Sequence, residues 1–131
     1  MATIKRFEEL ESWKGARVLT KKVYEVSKRG AFARDFGLRD QIQRASTSIM
    51  SNIAEGFERG GDKEFIQFLS HAKGSCGEVR SQLYVALDSS YITETEFETL
   101  RNETLGVSRL ISGLMRYLTE SELKGSKYRK A

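Results

Sequence analysis

DKEFIQFLSHAKGSCGEVRSQLYVAL, residues 62–87, is the stretch that decides the fold. Phe65, Phe68, Ala72, Cys76, Val79, Leu83 and Ala86 recur at spacings of three and four. That periodicity gathers apolar side chains on one face of an α-helix. A heptad-like seam of this kind predicts packing against neighbouring helices at shallow crossing angles. Gly60-Gly61 breaks the chain before it, and Asp62 is well placed as its N-cap.

Upstream, the same arithmetic gives two more helices. One runs from about Glu11 to Ser27, with Trp13, Ala16, Leu19, Val23 and Val26 inward; Gly30 and Ala31–Arg34 end it. The next begins near Phe36–Leu38 and continues to about Phe57, burying Leu38, Ile42, Ala45, Ile49, Ile53 and Phe57. Downstream, the turn Asp88–Ile92 leads into Thr93-Glu94-Thr95-Glu96, a capping box. Phe97, Leu100, Thr104, Val107, Ile111, Leu114 and Leu118 form the fourth seam, which stops near Ser121–Gly125. No stretch alternates with period two, so no strand is expected. The prediction is all-α: an antiparallel up-down four-helix bundle over residues 1–123, then a basic, flexible tail over 124–131.

Composition narrows the function classes. A chain of 131 residues, 39% hydrophobic and 31% charged, fits one soluble domain. The longest apolar run, Leu83 to Leu87, is too short to cross a bilayer, and no signal segment opens the chain. No membrane partner is therefore expected, and the expected compartment is the cytoplasm. One cysteine and one histidine build neither an internal disulfide nor a His/Cys metal cage, so no metal or other cofactor is expected. The net charge of +4 hides a division: +5 over residues 1–44, −5 over 45–123 and +4 over the last eight. Such a division fits an anionic partner, self-association between unlike faces, or simply a solvated surface.

Glycines within helices cost about 1 kcal/mol each relative to alanine. Gly74 and Gly77, and Gly106 and Gly113 a heptad apart, therefore suggest close backbone approach, within the bundle or between subunits. Mere tolerance is the alternative.

Two polar stripes run beside the apolar ones. Gln41, Arg44, Ser48, Asn52 and Glu55 lie along the second predicted helix, and His71, Ser75, Glu78 and Gln82 along the third. If they meet, Arg44 pairs with Glu78 and Asn52 with Ser75, a structural or interfacial network that fixes register. A polar ligand pocket and an ordinary exposed face stay open as readings.

Catalytic readings fare poorly. Gly56–Lys63 has the glycine spacing of a phosphate loop, but Asp62 stands where its lysine belongs and no strand precedes it. Cys76 lies five residues beyond His71, on a different face of the same helix, and reads as core. His71 is preceded at the i−3 position by Phe68, which excludes a di-metal Glu-x-x-His site. No enzyme is expected.

The best binding surface is the first helix. Lys14, Arg17, Lys21 and Lys28 share one face, interrupted by Glu25, and Lys127, Arg129 and Lys130 of the tail could add to it. A row of this kind pairs with nucleic-acid phosphates, and a ring of copies would multiply it. The expected partner is RNA or DNA; the alternative is a scaffold that binds a protein without nucleic acid.

Phe36-Gly37-Leu38, Gln41, Arg44-Ala45, Ser48-Ile49 and Asn52-Ile53-Ala54-Glu55-Gly56-Phe57 carry a family resemblance. Trp13, Ala16 and Tyr24 continue it upstream, and Phe65, Phe68-Leu69, Ala72, Gly74-Ser75 and Glu78 downstream. The chain resembles the bacterial four-helix bundle proteins encoded in intervening sequences of large-subunit ribosomal RNA genes. More distantly, it is similar to accessory proteins of diversity-generating retroelements. The resemblance implies a ring-shaped homo-oligomer, a pentamer, and a structural or interfacial role for Arg44, Asn52, Glu55, Ser75 and Glu78. Met50 stands where the family often has proline.

Overall fold

A reciprocal cap opens the longest helix. The Thr93 N–H donates to Glu96 Oε1 at 3.0 Å, and the Glu96 N–H donates to Thr93 Oγ1 at 3.1 Å. Two backbone donors that the helix cannot satisfy internally are thereby paired, as the sequence predicts. The computed structural model describes residues 3–129, with side chains through Leu123. A short 3-10 turn at Phe7–Glu9 precedes α1 (Glu11–Ser27), α2 (Gly30–Arg34), α3 (Phe36–Glu58), α4 (Asp62–Asp88) and α5 (Glu94–Arg129). Among the described residues the chain is all-α, without strands.

The four long helices surround one core, each packed on two neighbours: α1 on α3 and α5, and α4 on α3 and α5. Contacts run in opposite order along the partners, which makes the pairs antiparallel. Thr20 reaches the Ser46 carbonyl and Ser27 meets Gln43, while Ser48 meets Ser75 and Gly56 abuts Phe68. Between α1 and α5, Arg29 pairs with Glu96 and Lys22 with Glu103, and Gly15 lies against Val107.

Periodicity located most of the core, but Trp13, Phe57, Phe68 and Leu114, all predicted inward, are only half-buried. Leu69, rather than Phe68, is fully buried. The true α4 seam is Phe65, Leu69, Ala72, Cys76, Val79, Leu83 and Ala86, stepping four and three in strict alternation. Phe68 is half-buried at its side, over Gly56.

Other differences follow from local chemistry. Asp62 does not cap α4; Gly61 holds the cap position in extended geometry, and Asp62 is the first helical residue. There its charge, with that of Glu64, still favours the positive end of the helix dipole. Gly60, at φ 83°, makes the turn that places them. The last helix does not stop near Ser121–Gly125 but runs to Arg129. Glu120, Glu122, Leu123 and Lys124 are good helix formers, and one glycine among them is too small a penalty to end the helix.

The segment Ala31–Arg34 is not merely an ending. It belongs to α2, whose Phe32 is fully buried and stacks on Tyr91 with ring centroids 5.3 Å apart. The Tyr91 hydroxyl donates to Asp35 Oδ2 at 2.9 Å, and Asp35 Oδ1 accepts the Leu38 N–H at 3.1 Å, capping α3. Donation to the carboxylate, aided by burial, raises the Tyr91 phenol above its ordinary pKa.

The Thr93–Glu96 box gives a first testable outcome. Backbone bonding from Thr93, and the Arg29 guanidinium, hold the Glu96 carboxyl below its usual range. A carboxyl whose folded pKa is depressed stabilises the fold at neutral pH, and that contribution disappears as pH falls through the depressed value. Thr93→Ala should cost about 1 kcal/mol in thermal melts. Glu96→Gln should melt below wild type at pH 7, with the gap narrowing as pH falls through the depressed value; a gap that does not change with pH would exclude the linkage.

Candidate nucleic-acid interface

Helix α1 lays its core stripe, Ala16, Leu19, Val23 and Val26, against the bundle, which leaves the opposite face outward. Lys14, Arg17, Lys21 and Lys28 are all exposed there. Lys14 lies 3.7 Å from Glu11, an exposed pair; Arg17, Lys21 and Lys28 form no ion pair among the described residues. The neighbouring cations Lys22 and Arg29, which point to α5, are the ones that find carboxylates. The side chains of Lys127, Arg129 and Lys130 lie outside the described residues.

Two aromatic rings border this row, a feature the apolar reading of Trp13 passes over. Arg17 sits over the Trp13 ring at 5.8 Å, and Lys28 over the Tyr24 ring at 5.7 Å. Both rings are half-buried. Trp13 also packs against Phe7, edge to face with centroids 5.2 Å apart.

The polar stripes meet only in part. Ser75 Oγ donates to Ser48 Oγ at 3.0 Å, and Asn52 Nδ2 donates to the Ser48 carbonyl at 2.9 Å and to its Oγ at 3.1 Å. Asn52 and Ser75 are thus joined through Ser48 rather than directly. Arg44 and Glu78 do not pair: both are exposed on the rims of a groove of about 460 Å³ that also takes in Gln41, Ser48 and Gln82. Gln82 Oε1 is buried there without a partner. Glu55 leaves the network altogether, pairing with Arg59 at 2.9 Å one turn along its own helix. The physical reason is reach: short hydroxyls meet near the helix–helix contact, while long charged side chains at its edge turn to water.

The glycines also part company. Among the described residues, Gly74, Gly77, Gly106 and Gly113 have nothing within 4 Å of where a Cβ would stand, so none marks a close approach there. Gly56 does: a Cβ there would lie 2.7 Å from Phe68 Cβ and 2.9 Å from Phe65 Cδ1.

The residues considered for catalysis are scattered. His71 is exposed, its ring 6.4 Å from that of Phe68. Cys76 is buried, and desolvation pushes its thiol up to about 11, so it stays protonated at neutral pH. Gly56–Glu58 end α3 and Asp62-Lys63 begin α4, so the glycine-spaced stretch is a helix-to-helix turn. Among the described residues no cluster of three His, Cys, Asp or Glu side chains is placed to hold a metal, and no helix is long and apolar enough to cross a membrane.

The family model of the 23S rRNA-intervening sequence proteins matches residues 8–113. The chain belongs to this family. The match takes in α1 through α4 and the first half of α5, including the basic row and the polar stripes. Among solved structures, the chain is similar to a Bacteroides thetaiotaomicron protein of unknown function from the S23 ribosomal protein family. The TM-score is 0.72 at 21% identity, covering 79% of this chain and 97% of that one. That likeness supports the helical fold of the intervening-sequence family. No curated protein matches the chain.

Proposed function

We propose that this intervening-sequence protein is a non-enzymatic, cytoplasmic, homo-oligomeric bundle, a pentameric ring by family resemblance, that holds the backbone of RNA or DNA on α1. The observation that carries the reading is the unpaired row on one outward face: Arg17, Lys21 and Lys28, with Lys14 beside them. Phosphates are strong partners for such cations, and copies in one assembly raise avidity without new contacts. Oligomerisation draws support from an apolar groove of about 490 Å³ between the N-terminal segment and α5. Ile4, Leu10, Leu110 and Tyr117 line it, Gly113 lies open beside them, and the buried Ser12 hydroxyl has no partner there. The same groove supports the second reading, a scaffold for a protein partner.

The test is charge reversal at Lys14, Arg17 and Lys21 to Glu. Affinity for an RNA hairpin with an unpaired loop, read by anisotropy at low salt, should fall at least tenfold. The slope of log affinity against log salt should shrink by about 2–3. Equal binding by the variant, or none by wild type, would refute the reading and favour the scaffold.

A further inference from the structure

We infer that the nucleic acid held on α1 is single-stranded, with its bases stacking on aromatic rings along the seam between α1 and α3. The inference rests on the nucleic-acid reading of α1 and adds to it the state of the strand. Three cation–aromatic pairs border the seam. Arg17 lies over Trp13 on α1, and Lys28, the C-cap of α1, over Tyr24. Arg39 lies 4.8 Å from the centroid of Phe36 on α3; it also pairs with Asp40 at 3.0 Å and donates to the Ala33 carbonyl.

Their placement follows from helix geometry. Trp13 and Tyr24 are eleven positions apart, which brings them within about 20° of each other around α1 and separates them by about 16 Å along it. They lie on the α3 side of the helix, next to the cations. Phe36 and Arg39 stand two turns and one turn before Gln43, whose amide donates to Ser27 Oγ at 2.8 Å. They therefore extend the seam past the end where Lys28 lies. Phe36 is 63% exposed, the second most exposed large apolar side chain among the described residues, although it begins a helix whose core face is well buried.

A duplex keeps its base faces stacked and shows a protein only base edges and phosphates, so it has no use for the rings. An extended strand uses both groups. Its bases take ring faces, every base having one, while the displaced Arg17 guanidinium or Lys28 ammonium turns to the adjoining phosphate. Lys14 and Lys21, which lie over no ring among the described residues, meet backbone only. Discrimination between RNA and DNA would need contact with the 2′-hydroxyl; the shared chemistry here is a stacked strand, so both sugars bind.

Trp13 is the sole tryptophan, which gives a direct reporter. The full-length protein is titrated at low salt with a 12-nucleotide uridine strand, a 12-nucleotide thymidine strand and duplexes of equal length. Binding is read by anisotropy and stacking by Trp13 emission. Both single strands should bind about tenfold tighter than the duplexes and quench Trp13 by half or more. Phe36→Leu, at an exposed site, should keep the fold by circular dichroism and the salt slope, yet weaken single-strand binding about fivefold to tenfold. Equal affinity for strands and duplexes, or single-strand binding with Trp13 emission unchanged, overturns the inference and leaves the phosphate-holding role of α1 standing. No binding of either form removes both.

Discussion

Replacing Phe32 by alanine is expected to cost about 3–5 kcal/mol and lower the melting temperature by about 10 °C or more. Helix α2 has five residues, too few to be stable by its own backbone bonds, so tertiary packing must hold it. Phe32 supplies that packing, being fully buried and stacked on Tyr91. Its loss would leave a cavity at the corner where α1 passes to α3 and the α4–α5 turn closes. The damage should spread, because Tyr91 also orients Asp35 and Asp35 caps α3. Phe32→Leu should recover most of the loss, since it restores volume without the ring. Melts at matched protein concentration, needed if copies associate, check this. A cost under 1 kcal/mol would mean that α2 merely connects.

Phe32 also shows where a sequence stops being legible. The long helices can be read because a buried face repeats: Ile42, Ala45, Ile49 and Ile53 carry α3 through several turns. One buried phenylalanine in a five-residue helix has no period, and its partner Tyr91 is 59 positions away. Adjacent apolar residues pose a second problem. Phe68 and Leu69 both satisfy helical spacing with Ala72, and only the fit of Phe68 over Gly56 decides which turns inward. On the surface, the row Lys14, Arg17, Lys21 and Lys28 is legible because a shared face follows from spacing alone. Which cations are free is not: Lys22 and Arg29 are neutralised by Glu103 and Glu96, pairings set by the packing of α1 on α5. The polar stripes show the same limit. Spacing aligns Arg44 and Glu78 on facing helices, yet the pair does not form, and the hydroxyl of Ser48 makes the crossing.

Glycine gives the sharpest contrast, because one residue type should respond with opposite signs at two positions. Gly56→Val is expected to destabilise by about 3 kcal/mol or more. The new Cβ would stand 2.7 Å from Phe68 Cβ, an atom fixed to the α4 backbone, so relief requires α3 and α4 to move apart rather than a rotamer to change. Gly56→Ala meets the same atom, and the roughly 1 kcal/mol gained in helix propensity offsets only part of the strain. Gly74→Ala meets nothing within 4 Å and should stabilise an isolated chain by about 1 kcal/mol. If copies associate through this face of α4, the added methyl should instead lower the mass seen by light scattering at micromolar concentration. The pair of measurements thus separates the two uses of glycine. A stabilised Gly74→Ala of unchanged mass assigns the exposed α4 glycines to tolerance and moves any contact between copies elsewhere, with the groove at Leu110 and Tyr117 next in line. A neutral Gly56→Val would contradict the close approach of Phe68 and Phe65 to Gly56.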